Sequence, residues 1–212
     1  MLYARLSGLI RTDGDDMTKR FGLIWKLTRR RSYVLSYIRG WIQTALAQAT
    51  ANTVGIVAAT STLEVVVTRK DGAIEDYGVT SRRVVTDDFV AFIVDALDTA
   101  QATFDDFDYM GYGSGSAAEG AGDTALGTEF TTQYASDNVR PTGTVSQPAA
   151  NQFRLVTTFS PDASVTVQEA APFSQAAVAG GIMMDRSLTG GQALVSGDSL
   201  QSTYTCTFSS GG

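Results

Sequence analysis

The chain has 212 residues, 22 acidic and 16 basic side chains, a formal charge of -6 and only 18% charged residues, against roughly 25% in soluble domains. It has no histidine and one cysteine, Cys206, which excludes Ser-His-Asp triads, Cys–His dyads, histidine-ligated zinc and disulfide scaffolds. The length allows one large domain or two small ones with a real core, and the composition points to a structural or binding protein.

Charge is unevenly distributed. Residues 1–40 carry nine basic side chains against Asp13, Asp15 and Asp16, a net +6 that leaves -12 on the remainder. From Val84 onward the only cations are Arg140, Arg154 and Arg186. A basic segment on an acidic body is expected to dock on something acidic, whether a protein surface, a nucleic acid or the body of a neighbouring copy.

In chain order, residues 1–16 read as an unpatterned leader ending in a turn or N-cap cluster, Thr12-Asp13-Gly14-Asp15-Asp16. From Met17 to about Gln48 apolar residues recur four apart: Phe21 and Trp25; Val34, Ile38, Ile42 and Leu46; Tyr33, Tyr37 and Trp41. The spacing predicts a helix with a broad apolar stripe, edged by Arg29, Arg30, Arg31 and Arg39. Gly40 weakens that helix by about 1 kcal/mol relative to Ala and marks a possible bend. Two readings stand open: a helix packed on its own domain, or a docking arm over residues 1–52 whose aromatic face fits a partner. In the second, Trp25, Arg29, Arg30, Arg31, Tyr33, Tyr37 and Trp41 are the contact residues, meeting either another protein or a neighbouring subunit. Nucleic acid is the weaker partner, because the acidic remainder repels a phosphate backbone.

Neither a secretory signal nor a membrane span is expected. Arg39 interrupts the apolar run before Ala45-Leu46-Ala47, and the basic region is too long for a signal. Gly40 to Leu63 is uncharged over 24 residues but holds too many Gln, Thr, Asn and Ser side chains for hydrocarbon.

The domain expected over residues 53–212 opens with a strand at Leu63–Thr68, an Asp71-Gly72 turn and a strand from Ile74 to Thr80, a strong hairpin signal. Thr86 then N-caps a helix near 87–100 with Asp87 and Asp88 in its first turn, expected to cover one side of a sheet. After residue 105 the pattern is mostly strand: Phe107–Tyr112, Thr124–Thr132, Gln152–Phe159, Ala163–Ala170, Gly181–Leu188, Gln192–Val195 and Leu200–Phe208. Their regular spacing predicts a mainly β fold: a C-terminal antiparallel β-sandwich or jelly-roll-like domain with an N-terminal helical arm and one short covering helix. Gly113–Gly122 reads as a flexible surface loop.

Chemical motifs are weak. Asp105, Asp106 and Asp108 match no EF-hand spacing and read as a solvated strand edge. Gly111-Tyr112-Gly113-Ser114-Gly115 shares only its glycine content with phosphate loops. Ser114 and Ser116 have no histidine base. Asp185-Arg186 is expected to form a structural salt bridge, within the sandwich or between copies. Cys206 alternates with Tyr204 and Phe208 and reads as a small buried thiol. No catalytic residue, cofactor or metal is expected, and the protein is read as non-enzymatic.

A series of segments resembles a pattern found in structural proteins of the tailed-bacteriophage virion. It runs through Glu75-Asp76-Tyr77-Gly78-Val79, Ser81-Arg82-Arg83-Val84-Val85, Gly113-Ser114-Gly115, Gly122-Asp123-Thr124-Ala125-Leu126 and Arg140-Pro141-Thr142-Gly143-Thr144. It continues through Asn151-Gln152-Phe153-Arg154, Val165-Thr166-Val167-Gln168-Glu169, Met184-Asp185-Arg186 and Ser196–Tyr204. The resemblance covers roughly Leu63 to Gly212. It implies a virion component made in the host cytoplasm, foremost a capsid cement or decoration protein that binds the major capsid protein as a homotrimer. A tail-fibre or tail-adaptor protein that binds host glycans is the alternative.

Overall fold

The computed structural model describes Ile42 and residues 58–98, 107–135 and 137–209. The predicted arm over residues 1–52 therefore lies outside the described residues except for Ile42, which is helical and half exposed. The rest is mainly β. In order come β1 (Ala58–Thr68), β2 (Ile74–Val84), α1 (Asp87–Asp98), β3 (Tyr109–Gly113), β4 (Thr144–Ser146), β5 (Gln152–Phe159), β6 (Val165–Phe173), β7 (Ser187–Leu194) and β8 (Ser199–Ser209).

The strands form two antiparallel sheets, one of five strands in the order β2-β1-β8-β5-β4 and one of three in the order β3-β6-β7. Period-2 alternation explains how they pack. In β1 the buried side chains are Leu63, Val65 and Val67, with Glu64 and Thr68 exposed. Register aligns each with buried residues of β8 and β5, so Leu63, Tyr204 and Leu155 form one rung and Val67, Leu200 and Phe159 another. These rungs share one core with Met110, Tyr112, Val167, Ala170 and Leu194 of the smaller sheet, which makes the fold a β-sandwich. At its centre Phe159 stacks on Tyr112 at 4.7 Å and meets Tyr134 edge-on at 5.5 Å. The Tyr112 hydroxyl crosses between the sheets to Ser202 Oγ at 2.6 Å.

Local chemistry sets the element ends. Gly72 takes φ 86°, and its N–H donates to Arg69 O at 2.8 Å, closing the β1–β2 hairpin at the expected Asp-Gly. Thr86 Oγ1 accepts the Phe89 N–H at 3.2 Å and donates to Met183 O at 2.5 Å, so the helix cap also ties α1 to a distant loop. Phe89 and Phe92 enter the core and meet Phe107 edge-on at 5.3 and 5.1 Å.

Three strand expectations are corrected. β2 runs on from Thr80 to Val84, because Arg83 is buried in an ion pair with Glu119 that compensates its charge. Thr124–Thr132 forms turns with one isolated bridge, Gly113 to Glu129, since the N–H groups of Gly127 and Thr128 go to a side chain instead of a ladder. The two strands expected at Gly181–Leu188 and Gln192–Val195 are one, β7, with residues 181–186 in irregular backbone. Gly190 and Gly191, at φ 86° and 88°, carry the strand through the gap left between the two expected strands.

Candidate functional site

The outer face of the three-stranded sheet holds the most highly connected polar groups described. A bulge between Val167 and Glu169 shifts the alternation of β6. Val167 and Ala170 accordingly join the main core, whereas Ala171 and Phe173 pack in a second small core with Leu126 and Met183. Glu169, two residues before Ala171, is completely buried. Its Oε1 accepts the N–H groups of Gly115 at 3.0 Å and Thr128 at 2.7 Å. Its Oε2 accepts Gly127 N–H at 3.0 Å and Arg186 Nε at 2.7 Å. Arg186, also buried, reaches on to Asp123 at 3.0 Å and to Ala117 O at 3.3 Å.

A second clamp lies alongside. Arg140, 1% exposed, makes a two-pronged pair with Glu129 at 2.5 and 2.9 Å. It also donates to Gln175 O and Gly180 O, and its guanidinium carbon stands 3.4 Å over the Phe173 ring. Together the two arginines fasten the connections 114–143 and 174–186 to the sheet. The expected flexible loop is thus anchored in its first part: a Cβ at Gly113 would lie 2.4 Å from Thr128 O, and one at Gly115 2.4 Å from Glu169 Oε1. With both Glu169 oxygens already accepting two hydrogen bonds each, the clamp holds loops in place and offers no free base or ligand.

The Arg186 guanidinium pairs with Glu169 and Asp123 and leaves the Asp185 carboxyl to other partners. Asp185 accepts hydroxyl hydrogen bonds from Ser61 at 2.5 Å and Ser187 at 3.1 Å while 2% exposed. Burial pushes its carboxyl up to about 6, partly offset by those two hydroxyls. The same burial pushes the Cys206 thiol up to about 12, so it is held as the inert thiol expected from its strand position. Asp185, Tyr204 and Cys206 are all closed to solvent.

Surface features are fewer. α1 turns Val90, Val94 and Leu97 outward, 49%, 59% and 79% exposed, an apolar stripe at i, i+4 and i+7. Its charges are all acidic: Asp87, Asp88, Asp95 and Asp98. Elsewhere an open cavity of about 900 Å³ lies between the β4–β5 turn and the end of β8, lined among others by Val145, Asn151, Phe153 and Phe208.

The seven sequence-predicted contact residues, Trp25, Arg29, Arg30, Arg31, Tyr33, Tyr37 and Trp41, lie outside the described residues, as do Asp105 and Asp106. Asp108 is described, and its carbonyl accepts Gly143 N–H at 2.7 Å. Among the described residues no group of His, Cys, Asp and Glu is placed to hold a metal ion, and no helix is long and apolar enough to cross a membrane. Sequence reasoning missed Glu169 as the keystone, although a single acid in the apolar run Val165–Phe173 was its signal. It also missed the outer stripe of α1, where apolar residues at 89, 90, 92, 93, 94 and 97 span more than one face.

Comparison with known proteins finds no family model that matches the sequence and no match among curated proteins.

Proposed function

We propose that this protein is a non-enzymatic structural component of a tailed-bacteriophage virion, a cement or decoration protein that binds the major capsid protein lattice as a homotrimer. One observation carries the reading. The segments that resemble virion proteins supply the framework of the sandwich: Gly113 and Gly115 fit against Glu169, Asp123 pairs with Arg186, and Arg140 pins residues 175 and 180. Long connections clamped by buried ion pairs suit a protein that must keep its shape under load.

A lattice protein works by binding free energy multiplied over many copies, and a rigid body loses little ordering entropy in each contact. The basic, aromatic segment at residues 17–48 supplies the anchor, with Trp25, Tyr33, Tyr37 and Trp41 burying area and Arg29, Arg30 and Arg31 meeting acidic capsid groups.

Two experiments test this. Quantitative mass spectrometry of purified virions is expected to give about one copy per major capsid subunit. A few to a few tens of copies would instead favour the tail-fibre or adaptor reading. A chain lacking residues 1–52 is expected to lose binding to undecorated capsids; undiminished loading would overturn the anchoring role.

A further inference from the structure

The interior of the sandwich turns polar where β2 and β1 approach β7. Register sets Arg83 of β2 opposite Ser61 of β1, and the Ser61 hydroxyl donates to Asp185 Oδ2 at 2.5 Å. Arg83, Ser61 and Asp185 are all buried. Two carboxyls therefore border one guanidinium. Arg83 is held by Glu119 through both Nε and Nη2, while its positive charge also acts through space on Asp185. Asp185 itself is held by the Ser61 and Ser187 hydroxyls and by the Arg186 N–H.

The other titratable groups around Asp185 are already committed. Tyr204 and Cys206 face it from β8, and burial keeps both neutral. The Arg186 guanidinium is taken by Glu169 and Asp123. Arg83 is thus the cation placed to answer a charge on Asp185.

Glu119 is what Arg83 would give up. It is the one residue of 116–122 that is not exposed. Other ties on this segment run from Ala117 O to Arg186 and from Ala121 O to the Asp87 N–H, at 2.9 Å, in the first turn of α1.

We propose that Asp185, Arg83 and Glu119 form a pH-sensitive latch on residues 116–122. While Asp185 is protonated, Arg83 stays with Glu119 and the segment is held down. An ionised Asp185 draws the guanidinium instead, because a buried carboxylate without a cation costs more than one that can reach water. Glu119 is then released to solvent, and the segment lifts away from Asp87. Burial raises the Asp185 carboxyl to about 6, so the latch opens as pH rises through that value. The latch lies within the β domain and goes beyond the capsid reading, so it stands or falls whatever the protein binds.

The test uses the full chain and hydrogen exchange, read as protection factors so that the intrinsic pH dependence cancels. Protection of the Asp87 amide, which donates to Ala121 O, is expected to fall at least about tenfold between pH 5 and pH 7.5. In Asp185→Asn it should stay level. Glu119→Gln frees Arg83 for Asp185 at every pH. Carbon-13 NMR should then show the Asp185 midpoint lowered by at least about half a unit, roughly threefold in proton affinity. A level profile in the parent, an equal fall in D185N, or an Asp185 midpoint unmoved by E119Q would each overturn the latch. Should D185N fail to fold, the parent profile and the E119Q titration decide between the same outcomes.

Discussion

Removing the Glu169 carboxylate should be among the most damaging single changes in the domain. Glu169→Ala strands Arg186, which is 4% exposed and retains only the partly exposed Asp123 and one carbonyl, and it removes the acceptor for Gly115, Gly127 and Thr128 N–H. Breaking a buried ion pair from one side costs about 3–5 kcal/mol. An orphaned backbone donor costs about 1–3 kcal/mol more where water cannot reach it. Because the loop can open and rehydrate those amides, the expected loss is about 4–6 kcal/mol, a large part of the roughly 5–15 kcal/mol available to a domain. In a domain of this size that corresponds to a fall of about 10–20 °C in melting temperature. Urea titration followed by circular dichroism measures the loss. Hydrogen exchange should show the amides of Gly115, Gly127 and Thr128 opening first. Glu169→Gln, which retains one carbonyl acceptor, should lose less than Glu169→Ala. A loss below about 1 kcal/mol for E169A, with those amides still protected, would refute the keystone role.

Three further outcomes are expected. Asp185 has a carboxyl raised by burial from 3.8 to about 6, so its contribution to stability is complete below pH 3.8 and is lost as pH rises through 6, by about 3 kcal/mol; urea midpoints at pH 4 and pH 7 should therefore fall more with rising pH in the parent than in the D185N chain, and equal slopes would refute this. Gly113→Ala places a methyl 2.4 Å from Thr128 O and should cost at least about 2 kcal/mol, whereas Gly120→Ala, with open space around it, should stay within about 0.5 kcal/mol in the same titration. Cys206 should resist a thiol reagent at pH 8 in the folded protein and react at once in 6 M guanidinium, with native-state labelling as the contrary result.

How much of this was legible beforehand depended on whether the signal was local. The Asp71-Gly72 hairpin, the Thr86 cap and strand β5 at Gln152–Phe159 are governed by neighbours within a few residues, and all stand where their chemistry placed them. Tyr204 and Cys206 share the buried face that alternation demanded. Thr124–Thr132 has the composition of a strand, yet the amides of Gly127 and Thr128 are taken by Glu169, some forty residues further along, and no local pattern announces that partner. β7 was divided because Gly190-Gly191 interrupts the strand pattern; β7 is one strand because its two ends, Ser187–Leu188 and Gln192–Leu194, both pair with β6 on either side of the register shift. Arg140 and Arg186 were isolated cations in an acidic stretch, and their complete burial follows from loops that meet only in three dimensions.

The position of β8 has a consequence for how the molecule is made. It lies between β1 and β5, so the two halves of the larger sheet share no ladder until a strand near residue 200 is present. A ribosome therefore exposes the inner edges of β1 and β5 for most of the time it takes to synthesise the domain. Closure must span about 140 residues of chain from β1 to β8, and such high contact order makes folding slow. The vulnerable species is a nascent chain with unpaired apolar strands, and newly synthesised protein should depend on chaperones far more than the finished sandwich does.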